Sequence, residues 1–348
     1  MWLLAVTALV VVGGIGVIWR FWPEPERPEV YQISGAQPGD LNPGQSFIDN
    51  VRNYGLPFDL EYRLTTTSEG FRGPETLSAP GGMRILVLGD SFAFGMGVGD
   101  EDTFPHQLGL ALAARGVSAR VWNAAVPGYT IVDQLEQWEQ KLARLEPDVV
   151  LVCHTASDLK EMARPTSFRR FLAWDDEDSS RPDPDVERVV SEYGGKRGAA
   201  AEVYAVSEAR LLERLGAGAH AALRRQHIEY LDVLERFARV VAGQPVPDAA
   251  GPGGRPRPTL AVVAWVESYG QAGLDVTPLE ERCQHLGVRL FRGQRALDRS
   301  GVAPDRLYLP DKHFSPEGNR LAARQTADWA VDIGLAVVRT AHSDSERP

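Results

Sequence analysis

Cysteine is nearly absent. The 348 residues include two, Cys153 and Cys283, with no spacing that resembles a metal site or a redox pair. Neither a thiolate-held metal nor disulfide exchange can organise this chain. Basic side chains are in deficit too: 37 Lys and Arg stand against 47 Asp and Glu, a formal net charge of −10. A nucleic-acid surface needs a clustered positive footprint, and none of the short Arg groups is dense enough to supply one. The glycines that do cluster, Gly95, Gly97 and Gly99, begin six residues past Gly89, and no Lys follows in P-loop position. No acidic residue ends the second apolar run, which continues as "ARVWNAAVPGY". A nucleotide phosphate site is therefore not expected. Paired His, Asp or Glu ligands are missing beyond Asp311-x-His313, so no metal and no other cofactor is expected, and there is no internal repeat.

What is present is a globular composition, 43% apolar and 24% charged, enough for a sizeable core. The one long apolar run opens the chain: "MWLLAVTALVVVGGIGVIW" gives nineteen residues without a charged side chain, close to the roughly 20 that a membrane-spanning helix needs. No Lys or Arg precedes it and no small-x-small site follows, which favours an anchor over a cleaved signal. Arg20 and Arg27 follow the span and weakly favour a cytoplasmic body, while Glu24, Glu26 and Glu29 count little in the orientation rule; charge alone does not decide the membrane face. We read 1–22 as an anchor or uncleaved signal, 23–81 as a spacer and ordered apron, and 82–340 as the main domain.

Within the main domain, β-type apolar runs at 84–88, 119–122, 149–153 and 259–266, and a weaker one at 288–291, alternate with helical patterns at 104–114, 131–145, 276–286 and 316–333. That alternation predicts an α/β fold with a parallel sheet covered on both faces. A long insertion, 160–258, separates the third and fourth strands. It holds a charged, Pro-bearing stretch, "WDDEDSSRPDPD", then helical patterns from about 199 to 242, and closes on "QPVPDAAGPGGRPRP". Loops at the carboxyl ends of parallel strands surround the ligand crevice, which makes these helices candidates for a cap.

The first strand ends in "RILVLGDSFAFGMGVGDEDTF". A serine just beyond a buried strand is held rigidly at the crevice, with its backbone N–H free to serve an oxyanion, and Ser91 fits that position. Its base should be a histidine oriented by a carboxylate. In "YLPDKHFSPEGNRLAA", Asp311 stands two residues before His313, ahead of a helix. In an extended segment such residues project to the same side, so Asp311 can fix the imidazole tautomer. Asp90 and Asp158 suit bonds to backbone N–H groups. Trp122, Trp138 and Trp265 suit core positions. His154 suits a hydrogen-bonded strand end better than a site.

In order, "GDS", "NAAVPGYT", "HTASDL" and "DKHFSPEG" resemble the four blocks of the SGNH, or GDSL, hydrolases. "EGFRGPE" and "GVGDEDTFP" resemble that family's membrane-associated bacterial branch. The resemblance covers 70–159 and 259–333. It implies a three-layer αβα, flavodoxin-like sheet, with Ser91 as nucleophile, His313 as general base and then acid, and Asp311 as its orienting carboxylate. It further implies an oxyanion hole from the backbone N–H groups of Ser91 and Gly128 and a third donor from block three. There the family's Asn is replaced by Ser157, whose hydroxyl is shorter and carries one proton.

The resemblance thus implies a serine esterase removing small O-acyl groups, such as acetyl, from a glycan or related ester at the cell envelope, with an extracytoplasmic domain on its membrane anchor. Transfer to a sugar hydroxyl is the close variant. A lysophospholipase or thioesterase with the insertion as a lid is one alternative, and a catalytically weak glycan-binding scaffold is another.

Overall fold

Five strands carry the sheet: β3 (Met83–Leu88), β4 (Ala119–Asn123), β5 (Val149–His154), β6 (Thr259–Ala264) and β7 (Arg289–Phe291). They come from a computed structural model that describes residues 40–51, 59–74, 82–162, 219–243, 257–269 and 274–336, all within the unit Tyr31–Pro348. The expected anchor at 1–22, the first part of the spacer and most of the insertion lie outside these residues. Among the described residues no helix is long and apolar enough to cross a membrane.

The strands pair in parallel in the order β4-β3-β5-β6-β7. This is the flavodoxin-like order that the family resemblance implied, with its switch point between β3 and β5. All six residues of β5, Val-Val-Leu-Val-Cys-His, are buried, and the unbroken apolar run reflects a strand covered on both faces. Alternate residues serve opposite layers. Leu86, Leu88, Val150, Val152 and Val262 join one core cluster with α3 (Ile131–Gln137), α5 (Ala219–Gly243) and α6 (Thr277–Leu286). Ile85, Val149 and Leu151 face Leu108 and Leu112 of α2 (Phe104–Ala113) and Trp329 of α9 (Pro316–Asp332). Each such aliphatic side chain stabilises the fold by about 1.5–3 kcal/mol relative to exposure. Trp122, Trp138 and Trp265 are buried in these layers.

Shorter helices fill the strand ends: α1 (Ser91–Phe94), α4 (Ala156–Met162), α7 (Gly293–Asp298) and α8 (Pro304–Leu307). The continuous helix expected over 131–145 is α-helical only to Gln137, then widens into a π turn over Trp138–Leu142 and tightens over Ala143–Leu145. Trp138 and Leu142 are both fully buried there, so packing, not periodicity, sets the local pitch. Ahead of the sheet, β1 (Ser46–Asn50) and β2 (Glu61–Thr65) form an antiparallel pair.

Candidate active site

The chain leaves β3 through Gly89, where a Cβ would lie 2.8 Å from the Ala93 Cβ and 3.0 Å from the Cys153 Cβ. Only glycine permits so close a turn. Asp90 then caps α1, its Oδ1 accepting from the Phe92 N–H at 2.9 Å. Ser91 is the first helical residue, so its own N–H is one of the helix's orphan donors.

His313 reaches the same place from a tight hairpin. The Leu309 N–H donates to the His313 carbonyl (2.8 Å) and the Lys312 N–H to the Leu309 carbonyl (2.9 Å), with Pro310 inside the turn and Lys312 at φ +76°. Asp311 and His313 therefore meet through a turn with a left-handed residue, not through extended backbone. The Asp311 Oδ1 accepts the His313 N–H at 3.1 Å and its Oδ2 lies 3.0 Å from the His313 Nδ1. With Nδ1–H donated to Asp311, Nε2 is left to accept from the Ser91 hydroxyl, 2.8 Å away. Phe92 packs against the imidazole, ring centroids 5.0 Å apart, and meets Phe314 edge-on. Ser91, Asp311 and His313 thus stand in one line, and Ser91 is 9% exposed.

Gly128 sits at φ +76° in the turn Val126-Pro127-Gly128-Tyr129, closed by the Tyr129 N–H on the Val126 carbonyl at 3.1 Å. Proline second and a positive-φ glycine third is the type II pattern. The Val126 N–H donates to the Gly89 carbonyl at 3.1 Å, which ties this turn to the serine turn. Neither the Ser91 N–H nor the Gly128 N–H has an acceptor among the described residues.

Ser157 comes to the serine turn as well, and its hydroxyl lies 2.7 Å from the Asp90 Oδ2 and 2.7 Å from the Thr155 Oγ. Thr155 also donates to the Asp90 Oδ2 at 2.6 Å. The single proton of Ser157 is engaged in this triangle, so offering it to a substrate oxygen requires a rotation away from Asp90 or Thr155.

Behind the triangle lies a network that the sequence reading missed in part. His154 is fully buried, with Nδ1 2.9 Å from the Asp158 Oδ2 and Nε2 2.7 Å from the Tyr269 hydroxyl. The Thr155 N–H donates to the same Asp158 oxygen at 2.9 Å. Tyr230 of α5 packs on the His154 ring at 4.3 Å, and His227 of α5 packs on Tyr269. Burial pushes the Asp158 carboxyl up, partly offset by the hydrogen bond and charge of His154. Burial, then the charge of His154, lowers His227 to about 4. His154 is thus a buried, doubly hydrogen-bonded strand-end residue. Among the described residues no three His, Cys, Asp or Glu side chains gather as a metal site.

Solved structures similar to this chain include a lipase/acylhydrolase from Enterococcus faecalis, 14% identical with a TM-score of 0.43, covering 74% of this chain and all of that one. An acetylxylan esterase of Geobacillus stearothermophilus, in a catalytic mutant, is 16% identical with a TM-score of 0.39, over 76% of this chain and all of that one. A two-domain esterase active on acetylated mannans is 12% identical with a TM-score of 0.42, over 76% of this chain and 53% of that one. No curated protein sequence matches the chain. Residues 87–321, well over half of the chain, match the model of the GDSL-like Lipase/Acylhydrolase family, and the chain belongs to that family.

Proposed function

We propose that this SGNH-type esterase works through an acyl-serine on Ser91 and removes small O-acyl groups, acetyl above all, from a glycan or related ester at the cell envelope. The carrying observation is the line Ser91 Oγ to His313 Nε2 to Asp311, at 2.8 and 3.0 Å. In the first step the Ser91 oxygen attacks the ester carbonyl carbon as its proton passes to His313 Nε2. The tetrahedral oxyanion is met by the Ser91 and Gly128 N–H groups, which have no acceptor among the described residues. His313 then protonates the leaving alkoxide. Water, deprotonated by the same nitrogen, attacks the acyl-serine, and the carboxylic acid leaves with Ser91 regaining its proton. The envelope setting rests on the uncharged run over 1–19, read as a membrane anchor, and the extracytoplasmic side is proposed because that is where an anchored enzyme would meet an acylated surface glycan.

The test uses p-nitrophenyl acetate, butyrate and decanoate, with acetate release from an O-acetylated polysaccharide beside them. Acetate is expected to be favoured over decanoate by at least about tenfold in kcat/KM. A fluorophosphonate should add its mass to the peptide that carries Ser91. A label elsewhere, or preference for decanoate, would overturn this reading, the second in favour of a lipid ester. Appearance of acetyl on an added sugar acceptor would make the enzyme a transferase.

Ser157 supplies a separate prediction. Ser157→Ala leaves Thr155 on Asp90 and should change kcat little. Ser157→Asn provides two N–H donors, one for Asp90 and one for the oxyanion, and kcat should rise, by up to about 10²-fold, the value of one such donor. A steep loss of kcat in Ser157→Ala with unchanged KM would show instead that the hydroxyl swings to the oxyanion during reaction.

A further inference from the structure

The end of α1 remote from Asp90 is gripped chiefly by Arg72, which lies outside the residues matched by the family model. Its guanidinium is 0% exposed, and all five of its N–H groups are placed. Nε donates to Asp100 Oδ1 at 3.2 Å. One terminal nitrogen donates to the Phe94 carbonyl at 3.1 Å and the Gly95 carbonyl at 2.7 Å. The other donates to the Val98 carbonyl at 2.6 Å and the Arg63 carbonyl at 3.4 Å. The rings of Phe94 and Tyr62 flank the guanidinium, 4.4 and 5.2 Å from it, and Asp100 is itself fixed by the Thr65 N–H and hydroxyl.

Three of those carbonyls belong to the segment that follows Ser91. Within it, the Gly95 and Met96 N–H groups both donate back to the Ser91 carbonyl, at 3.0 and 3.1 Å. The Phe94 carbonyl also takes the Asn123 side-chain amide at 3.2 Å. An α1 of four residues has no helical length to hold itself. Its backbone is set by Asp90 at one end and by Arg72, joined at the Phe94 carbonyl by Asn123, at the other.

We infer that Arg72 is a positioning residue for the esterase reaction: the hairpin β1–β2 and the strap to Arg72 belong to the catalytic unit, and Arg72 fixes Ser91 against His313. Building on the reading of Ser91 as nucleophile, the inference makes no contact between Arg72 and substrate. The chemistry requires an arginine. A lysine keeps the charge but offers three N–H donors from one point, too few for five acceptors around a plane. Displacing a reacting group by 1 Å costs about 10²-fold in rate.

The experiment compares full-length parent, Arg72→Lys, Asp100→Asn and Ser91→Ala on p-nitrophenyl acetate, well below each protein's thermal transition, with near-UV circular dichroism recorded at the assay temperature. The expected result is a native spectrum for Arg72→Lys, kcat lowered about 10- to 100-fold and KM within about twofold of parent. Asp100→Asn removes the counter-charge and one of the two acceptor oxygens shared by Arg72 and Thr65, which loosens the guanidinium against the Phe94, Gly95 and Val98 carbonyls, and should lower kcat several-fold in the same pattern. A merely structural Arg72 would lower the transition temperature and leave kcat intact beneath it. That outcome in either folded variant overturns the inference, and if Arg72→Lys does not fold, Asp100→Asn decides. Activity that survives Ser91→Ala overturns the acyl-serine reading itself, a result separate from either Arg72 outcome.

Discussion

Exchanging Asp311 for asparagine is expected to cost nearly as much hydrolysis as Ser91→Ala, about 10⁴-fold in kcat, although the fold survives. The reason lies in the two bonds that Asp311 makes. Its Oδ1 takes the His313 backbone N–H, and in the variant only the amide oxygen can fill that place. The amide nitrogen must then face Nδ1, where it donates. Imidazole responds by moving its proton to Nε2, the atom that faces the Ser91 hydroxyl. Two donors then oppose each other and the serine has no base. The measurement is kcat for p-nitrophenyl acetate between pH 6 and 9, beside Ser91→Ala and His313→Ala. Loss of less than about tenfold in Asp311→Asn would mean that His313 does not depend on that carboxylate for its tautomer. Partial recovery at high pH would point to hydroxide replacing the base.

The parts of this site that the sequence displayed are those built from short-range order. Ser91 follows an apolar run that could only be a covered strand, and Asp311-x-His313 stands just ahead of a capped helix. The pair meets for a reason the sequence reading did not supply, a left-handed Lys312 instead of extended backbone. The hairpin was legible in principle, since Glu61, Tyr62, Arg63 and Leu64 alternate outward and inward. The surrounding Pro, Gly and Asn masked it as an apron. α1 is too short for any helical period to register. Tyr269 and Tyr230 left no local signal at all, because they reach His154 from distant elements only once the sheet has formed. Replacement of the family's Asn by Ser157 was visible, but its engagement with Asp90 depends on a partner 67 residues away.

The buried network behind the serine turn should prove the most stability-sensitive polar feature near the site. Asp158→Ala strands two buried donors, the Thr155 N–H and the His154 Nδ1–H, at about 1–3 kcal/mol each. With the small cavity added, a loss of roughly 3–5 kcal/mol follows, or roughly 10 °C in Tm for a domain of this size. Asp158→Asn should behave quite differently. Its amide oxygen can accept from both donors, and its nitrogen takes the place of Asp158 Oδ1, which is buried without a partner. Tyr230, which feels the Asp158 charge, is relieved of it in the variant. The sign with pH follows from burial raising the Asp158 carboxyl above its ordinary 3.8. Below 3.8 both native and unfolded chains are protonated and no difference arises. Above it the unfolded chain loses its proton first, so the parent loses stability until the raised native value is passed, and the loss is constant thereafter. Asp158→Asn has no such term, so its stability relative to parent should climb as pH rises from 4 and then level off. Thermal unfolding of parent and both variants from pH 4 to 8 measures this directly. An asparagine variant that falls further behind the parent as pH rises would mean that the ionised carboxylate, held by His154 and Thr155, is the stabilising form.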